Sequence, residues 1–302
     1  MARWVIIPRQ SGLSVDLVIM PELTSSIVDV DWLSQHLATE NLLVLDASVP
    51  PVVPGYVSIN NAGSFVAIPG ARRFDYDQQV CRPNSSLPHM MPSAELFEAE
   101  VQKLGINADS LIVVYDDVGI YASPRAWWMF RAMGHQQVAV LDGGLPAWVH
   151  AGLATAGAVD TTFPAGNFNA KPAAELFCDF AVVLAALDDA NCSILDARST
   201  GRFYGTAEEP RPGVRSGHMP NAKNLPFPEL LDVGMMKSAE ELREIFSRLA
   251  SVEQKLITSC GSGITACILT LAADLAGYDK LAVYDGSWAE WGAPGKLPVV
   301  ID

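Results

Sequence analysis

Short, wholly apolar runs recur along the chain, separated by polar stretches with helical spacing. Leu42-Leu43-Val44-Leu45 closes on Asp46, and Leu111-Ile112-Val113-Val114-Tyr115 closes on Asp116. Runs of this length with no polar alternation read as strands buried on both faces. Strands alternating with helical patterns predict an α/β fold, mainly parallel sheet flanked by helices. One helix start is explicit: Ser238-Ala239-Glu240-Glu241 fits a capping box, and Leu242, Ile245, Phe246 and Leu249 follow on one face. A second helix is expected after Gly263, with Ile264, Cys267, Ile268, Leu271 and Leu275 on one stripe and Gly277 as its stop.

The pattern occurs twice. Asp46-Ala47 and Asp196-Ala197 end matching runs 150 positions apart. Ile68-Pro69-Gly70-Ala71 matches Met219-Pro220-Asn221-Ala222, and the run ending at Asp116 matches the run ending at Cys260. Val140-Leu141-Asp142-Gly143-Gly144 with Trp148 matches Val283-Tyr284-Asp285-Gly286-Ser287 with Trp291, both at an offset of 143. A repeat of this length predicts tandem duplicated domains rather than a solenoid. The expected organisation is an N-terminal tail at 1–26, a first domain at 27–151, a linker at 152–174 and a second domain at 175–302. The linker reading rests on its richness in Gly, Ala, Thr and Pro and its lack of periodicity.

The 302 residues carry 20 Lys and Arg against 34 Asp and Glu, a formal net charge of -14, which argues against a general nucleic-acid binder. No apolar run reaches the roughly 18 residues of a membrane span, and residues 1–20 lack the features of a secretory signal. Five cysteines without a C-x-x-C pair, and five histidines without ligand spacing, make a disulfide scaffold or a metal site unexpected. A reducing, cytoplasmic setting without metal is expected.

The chemistry concentrates at Cys260-Gly261-Ser262-Gly263-Ile264-Thr265-Ala266, between a strand and a helix. The two glycines allow a tight curl with positive φ. Successive amides can then face inward as an anion nest, reinforced by the N-terminal end of the helix. A thiol there is expected to ionise near neutral pH. Cys81, Cys178, Cys192 and Cys267 read as inert packing residues. Three chemistries use such a turn. A cysteine phosphatase requires Arg six residues after the nucleophile, where this chain has Ala266. Dinucleotide binding fits Gly261-x-Gly263-x-x-Ala266 with Asp285 downstream, but too little chain follows for that fold. Sulfur transfer through a cysteine persulfide is the third.

The segments 260–266, 196–203, 209–211, 217–222, 285–291 and 123–128 together resemble the two-domain rhodanese family, and within it the branch that uses 3-mercaptopyruvate as sulfur donor. The resemblance spans roughly residues 28–302. It implies two rhodanese-like domains, a first one left catalytically inactive by Asp116 and a catalytic second one, with the pocket between them. It further implies Cys260 and Ser262 as catalytic residues. Arg202 and Arg211, nine apart, would hold the donor's carboxylate and carbonyl, as planar guanidinium forks can. The amides of Gly261, Gly263, Ile264, Thr265 and Ala266 would help cradle the persulfide, with no cofactor. The implied acceptor is cyanide, a small thiol or a thioredoxin-like dithiol. Thiosulfate sulfurtransfer, or a persulfide carrier without turnover, is the alternative. Family members often have a relay histidine, expected at the position of Ala67 in Ala67-Ile68-Pro69-Gly70-Ala71, so the relay is expected to be missing here. His218 is expected to be structural.

Overall fold

A computed structural model describes residues 22–61 and 63–301, together with the short antiparallel strands Val5–Ile6 and Ile19–Met20. The expected tail at 1–26 falls largely outside the described residues. Each half of the chain builds one five-stranded sheet, and every pairing within both sheets is parallel. In the first, Leu111–Tyr115 is the central strand, flanked by Leu42–Asp46 and Val138–Leu141, with Arg72–Arg73 and Ile27–Val28 at the edges. In the second, Lys255–Ser259 is central, flanked by Cys192–Asp196 and Leu281–Tyr284, with Lys223–Asn224 and Phe177–Cys178 outside. The spatial order is the same in both.

The duplication extends to single hydrogen bonds. Ala47 N–H donates to Tyr115 C=O at 2.9 Å, and Ala197 N–H to Ser259 C=O at 2.8 Å. Leu145 N–H donates to Asp116 C=O, and Trp288 N–H to Cys260 C=O, both at 2.9 Å. The capping box is present in full at helix Ala239–Ser247, with Ser238 and Glu241 capping each other's backbone. Helix Ala266–Leu275 starts two residues later than the apolar stripe suggests. Residues 266–273 are buried on every side, so the helix is a core element rather than an amphipathic one. Gly277, at φ +94°, ends it.

The linker is not a loose tether. Ala156 and Ala67 exchange backbone hydrogen bonds at 2.9 Å, Asp160 N–H donates to Ala71 C=O, and Phe168 N–H donates to Ile106 C=O. The segment lies along the first half. Gly166 sits so close to Ile106 that a Cβ there would overlap its carbonyl. The two halves share one hydrophobic core, which runs from Leu45 and Trp127 through to Phe246 and Leu271. No helix of the described residues is long and apolar enough to cross a membrane.

Candidate active site

The carboxyl ends of the two central strands carry the two copies of one loop. In the second half the chain leaves strand Lys255–Ser259 at Cys260, which is 2% exposed. Its N–H donates to Ser287 Oγ at 3.2 Å, its C=O accepts from Trp288, and Gly261 C=O accepts from Ala289. The first turn of helix Ser287–Trp291 therefore clamps the loop from behind. Gly263 N–H points to Cys260 Sγ at 3.2 Å. Helix Ala266–Leu275 begins at the far side of the loop, with no side chain capping its N-terminal amides.

Of the two glycines, only Gly263 uses positive φ, at +81°, and a Cβ there would come within 2.9 Å of Asp285 C=O. Gly261 is needed for a different reason from the one the sequence suggests. Its backbone is ordinary, but a Cβ would lie 3.1 Å from Arg202 Nη2 and 3.8 Å from Arg211 Nη1. The bare α-carbon is the floor on which both guanidinium groups converge.

The first half shows what such a loop does around an anion. Asp116 stands at the Cys260 position, and its carboxylate accepts from the N–H groups of Val118, Gly119, Tyr121, Ala122 and Ser123 at 2.8–3.1 Å. Ser123 Oγ–H adds a sixth bond at 2.7 Å. Burial raises the Asp116 carboxyl, while these donors from Ser123, Tyr121 and Ala122 pull it down. A nest filled by its own carboxylate has no thiol and no room for a sulfur anion.

A cavity of about 330 Å³ opens over Cys260 between the halves. Cys260, Gly261, Ser262, Ile264, Thr265, Arg202 and Arg211 are on its wall. Gly263 and Ala266 are not: Gly263 faces backward toward Arg125, and Ala266 is fully buried at the helix start. Arg202 is held by Glu209, whose other oxygen contacts Arg198 at 2.7 Å. Arg198 is itself forked onto Asp196 and stacked 4.0 Å above Trp288. This pair with the buried Glu209 aims Arg202 at Gly261 while leaving 18% of the arginine side chain exposed.

The opposite wall comes from the first half, with Val49, Val53 and Tyr121 as its apolar part and Asp77 and His89 as its polar part. Neither of these last two belongs to a motif in the sequence. His89 Nδ1 lies 2.8 Å from Asp77 Oδ1. Burial pushes the imidazole down to about 4, with Asp77 opposing and Arg125 and Arg211 adding to the shift. His89 also has φ +57°, unusual for a residue with a side chain. Ala67, the position expected to lack the relay histidine, is fully buried, pairs with Ala156 and is not among the residues on the cavity wall. The histidine on the wall reaches it instead on the arm between strand Arg72–Arg73 and helix Ala94–Lys103. The sequence signal was Pro88-His89-Met90-Met91-Pro92, a histidine in a proline-framed loop with no helical or strand period. His218 stacks on Phe203 at 4.0 Å and bonds its backbone carbonyl, as a packed histidine does.

Burial pushes the Cys267 and Cys178 thiols up to about 12 and raises those of Cys81 and Cys192. No cluster of three or more potential metal ligands occurs among the described residues.

The profile of the rhodanese-like domain matches this chain twice, over residues 29–151 and 179–294. The 3-mercaptopyruvate sulfurtransferase of Escherichia coli (strain K12) is 39% identical over 280 residues, covering 91% of this chain and 98% of the relative. Its Homo sapiens namesake is 38% identical, with 90% and 93% covered. A Rattus norvegicus thiosulfate sulfurtransferase is also 38% identical, with 89% and 92% covered. The crystal structure of SseA from Escherichia coli, described as a rhodanese fold, matches with a TM-score of 0.77 at 34% identity, covering 88% of this chain and 99% of that one.

Proposed function

The chain belongs to the rhodanese-like family and spans nearly the full length of its two-domain members, and from that premise we propose that it is a sulfurtransferase that takes sulfur from 3-mercaptopyruvate. The observation that carries the donor assignment is the convergence of Arg202 and Arg211 over Gly261, beside Cys260. Percentage identity alone does not separate the donors, because a mercaptopyruvate and a thiosulfate enzyme are both 38% identical to this chain. A pair of guanidinium forks does, since a 2-oxo acid offers a carboxylate and a carbonyl to grip.

In this reading the Cys260 thiolate attacks the donor's sulfur. A sulfur–sulfur bond forms, the carbon–sulfur bond breaks, and its electron pair leaves on carbon as the enolate of pyruvate. Arg202 and Arg211 stabilise the charge that develops on the oxygens. The enolate takes up one proton to give pyruvate. With Nδ1 turned to Asp77, His89 Nε2 is the nitrogen left to take the proton from the donor's S–H and pass it to the enolate carbon, and the Ser262 side chain lines the same cavity. The persulfide sits in the amide nest. By the pattern around Asp116, the N–H groups of Ser262, Gly263, Thr265 and Ala266 are its donors, while Cys267 N–H, at the Ser123 position, bonds Ile264 C=O instead. Cyanide, a small thiol or a thioredoxin-like dithiol then removes the outer sulfur, completing a ping-pong cycle. A reducing, cytoplasmic setting suits five free cysteines.

The test is pyruvate release from 3-mercaptopyruvate by wild type, Arg202→Ala and Arg211→Ala. Each variant is expected to lose about 1.5–3 kcal/mol of transition-state stabilisation in kcat/KM. Unchanged kinetics in both would show that these guanidinium groups do not grip the donor, and no pyruvate release by wild type, with thiosulfate turned over, would leave thiosulfate as donor.

A further inference from the structure

Arg125 lies in the first half, on helix Ser123–Ala132, and is fully buried. It belongs to neither the donor grip nor the amide nest. Its Nη2 donates to His89 C=O at 2.5 Å and to Asp285 Oδ1 at 2.7 Å, and its Nη1 donates to Gly263 C=O at 3.2 Å. The Phe177 ring closes one face at 4.5 Å. Asp285 Oδ2 in turn accepts from Met91 N–H at 2.8 Å, two residues beyond His89.

One guanidinium therefore holds three pieces that meet at the cavity. The first is the backbone carrying the imidazole, and the second is the rear of the sulfur loop. The third is the Asp-Gly turn, whose helix clamps Cys260. We infer that Arg125 is a positioning residue for sulfur transfer, setting His89 and the Cys260 loop in register across the domain boundary. This deepens the sulfurtransferase reading and rests on it. A planar fork can bridge two carbonyls and a carboxylate at once, whereas an ammonium group at the same place satisfies the charge of Asp285 but not the geometry. The positive φ of His89 fits this role, since its carbonyl is turned inward to the guanidinium rather than along an extended strand.

Arg125→Lys separates positioning from charge. The variant is expected to fold, with a near-ultraviolet circular dichroism spectrum like wild type. Its kcat for pyruvate release should fall about 10- to 100-fold, while KM changes less than about threefold because Arg202 and Arg211 are untouched. The His89 ring resonance, assigned by its loss in His89→Gln, gives a second readout with no donor present. In wild type its midpoint should lie near 4, among Asp77, Arg211, Arg125 and the edge of Tyr76. In Arg125→Lys it should move toward the unperturbed value of about 6.5. A folded variant with wild-type kcat and an unmoved His89 midpoint would overturn the inference. Should Arg125→Lys not fold, Asp285→Asn keeps the shape, removes the charge facing the fork and leaves one oxygen for the two donors Arg125 and Met91. A several-fold loss of kcat supports the inference, and an unchanged kcat sinks it. If wild type itself releases no pyruvate, the mercaptopyruvate reading fails, while the His89 titration still reports whether Arg125 holds that residue.

Discussion

A single methyl group at position 261 would press on Arg202 Nη2 from 3.1 Å and touch Arg211. Gly261→Ala is therefore expected to raise KM for 3-mercaptopyruvate about tenfold, a loss near 1.4 kcal/mol, with kcat less affected. Steady-state rates of pyruvate release check it, and an unchanged KM would mean that the arginines do not hold the donor. The cysteines sort just as sharply. Cys267 and Cys178 are held near 12 by burial, so iodoacetamide at pH 7.5 should spare both. Donor treatment should add one sulfur to wild type and none to Cys260→Ser, as read by intact mass. Sulfur found on Cys267 would reverse the assignment. Cys260 stood out in the sequence because a glycine turn after a strand has local chemistry, and Arg202 and Arg211 because their nine-residue spacing matches the family the chain resembles. His89 and Asp77 were not. Their meaning depends on a contact with the other half of the chain, which no period or spacing along the chain encodes.

The elements were legible where local rules decide them. The central strands follow from their short apolar runs, the capping box from the Ser238 and Glu241 side chains, and the Gly277 stop from its positive φ. The burial of helix Ala266–Leu275 on all sides, and the laying of 152–174 along the first half, follow from tertiary packing and could not be read from composition. The arm that bears His89 gives the clearest consequence at this scale. Its imidazole is pushed down to about 4, mainly by burial, against about 6.5 in an unfolded chain. Between those values the unfolded state takes up a proton that the folded state refuses. Stability is therefore present above about pH 6.5 and falls as pH drops toward 4, at up to about 1.4 kcal/mol per unit. Urea midpoints at pH 7, 5.5 and 4.5 should decline in wild type and decline less in His89→Gln. Parallel curves would show that His89 does not titrate in this way. His135, also lowered by burial, contributes equally to both proteins and cancels from the comparison.

At the scale of the molecule, the halves exchange arms. Met91 N–H from the first half donates to Asp285 in the second, and Met236 N–H from the second donates to Asp142 in the first, at 2.8 and 2.9 Å. Asp142 and Asp285 are repeat equivalents, so the exchange has an approximate two-fold character, the relation expected between partners in a symmetric dimer. Ser26 Oγ–H adds a bond to Asp274 at 2.6 Å, and a common core runs beneath. A chain divided after Gly157 and expressed as two pieces is expected to assemble and to turn over 3-mercaptopyruvate within about threefold of wild type, because the site needs both surfaces but not the covalent link. Dissociated pieces on size-exclusion chromatography would contradict this. The arm exchange also bears on heredity. The half whose own loop is plugged by a carboxylate still lends the other a histidine, an aspartate and an arginine. Damaging variants should therefore fall on both sides of the linker, and a census of natural alleles should find no silent half.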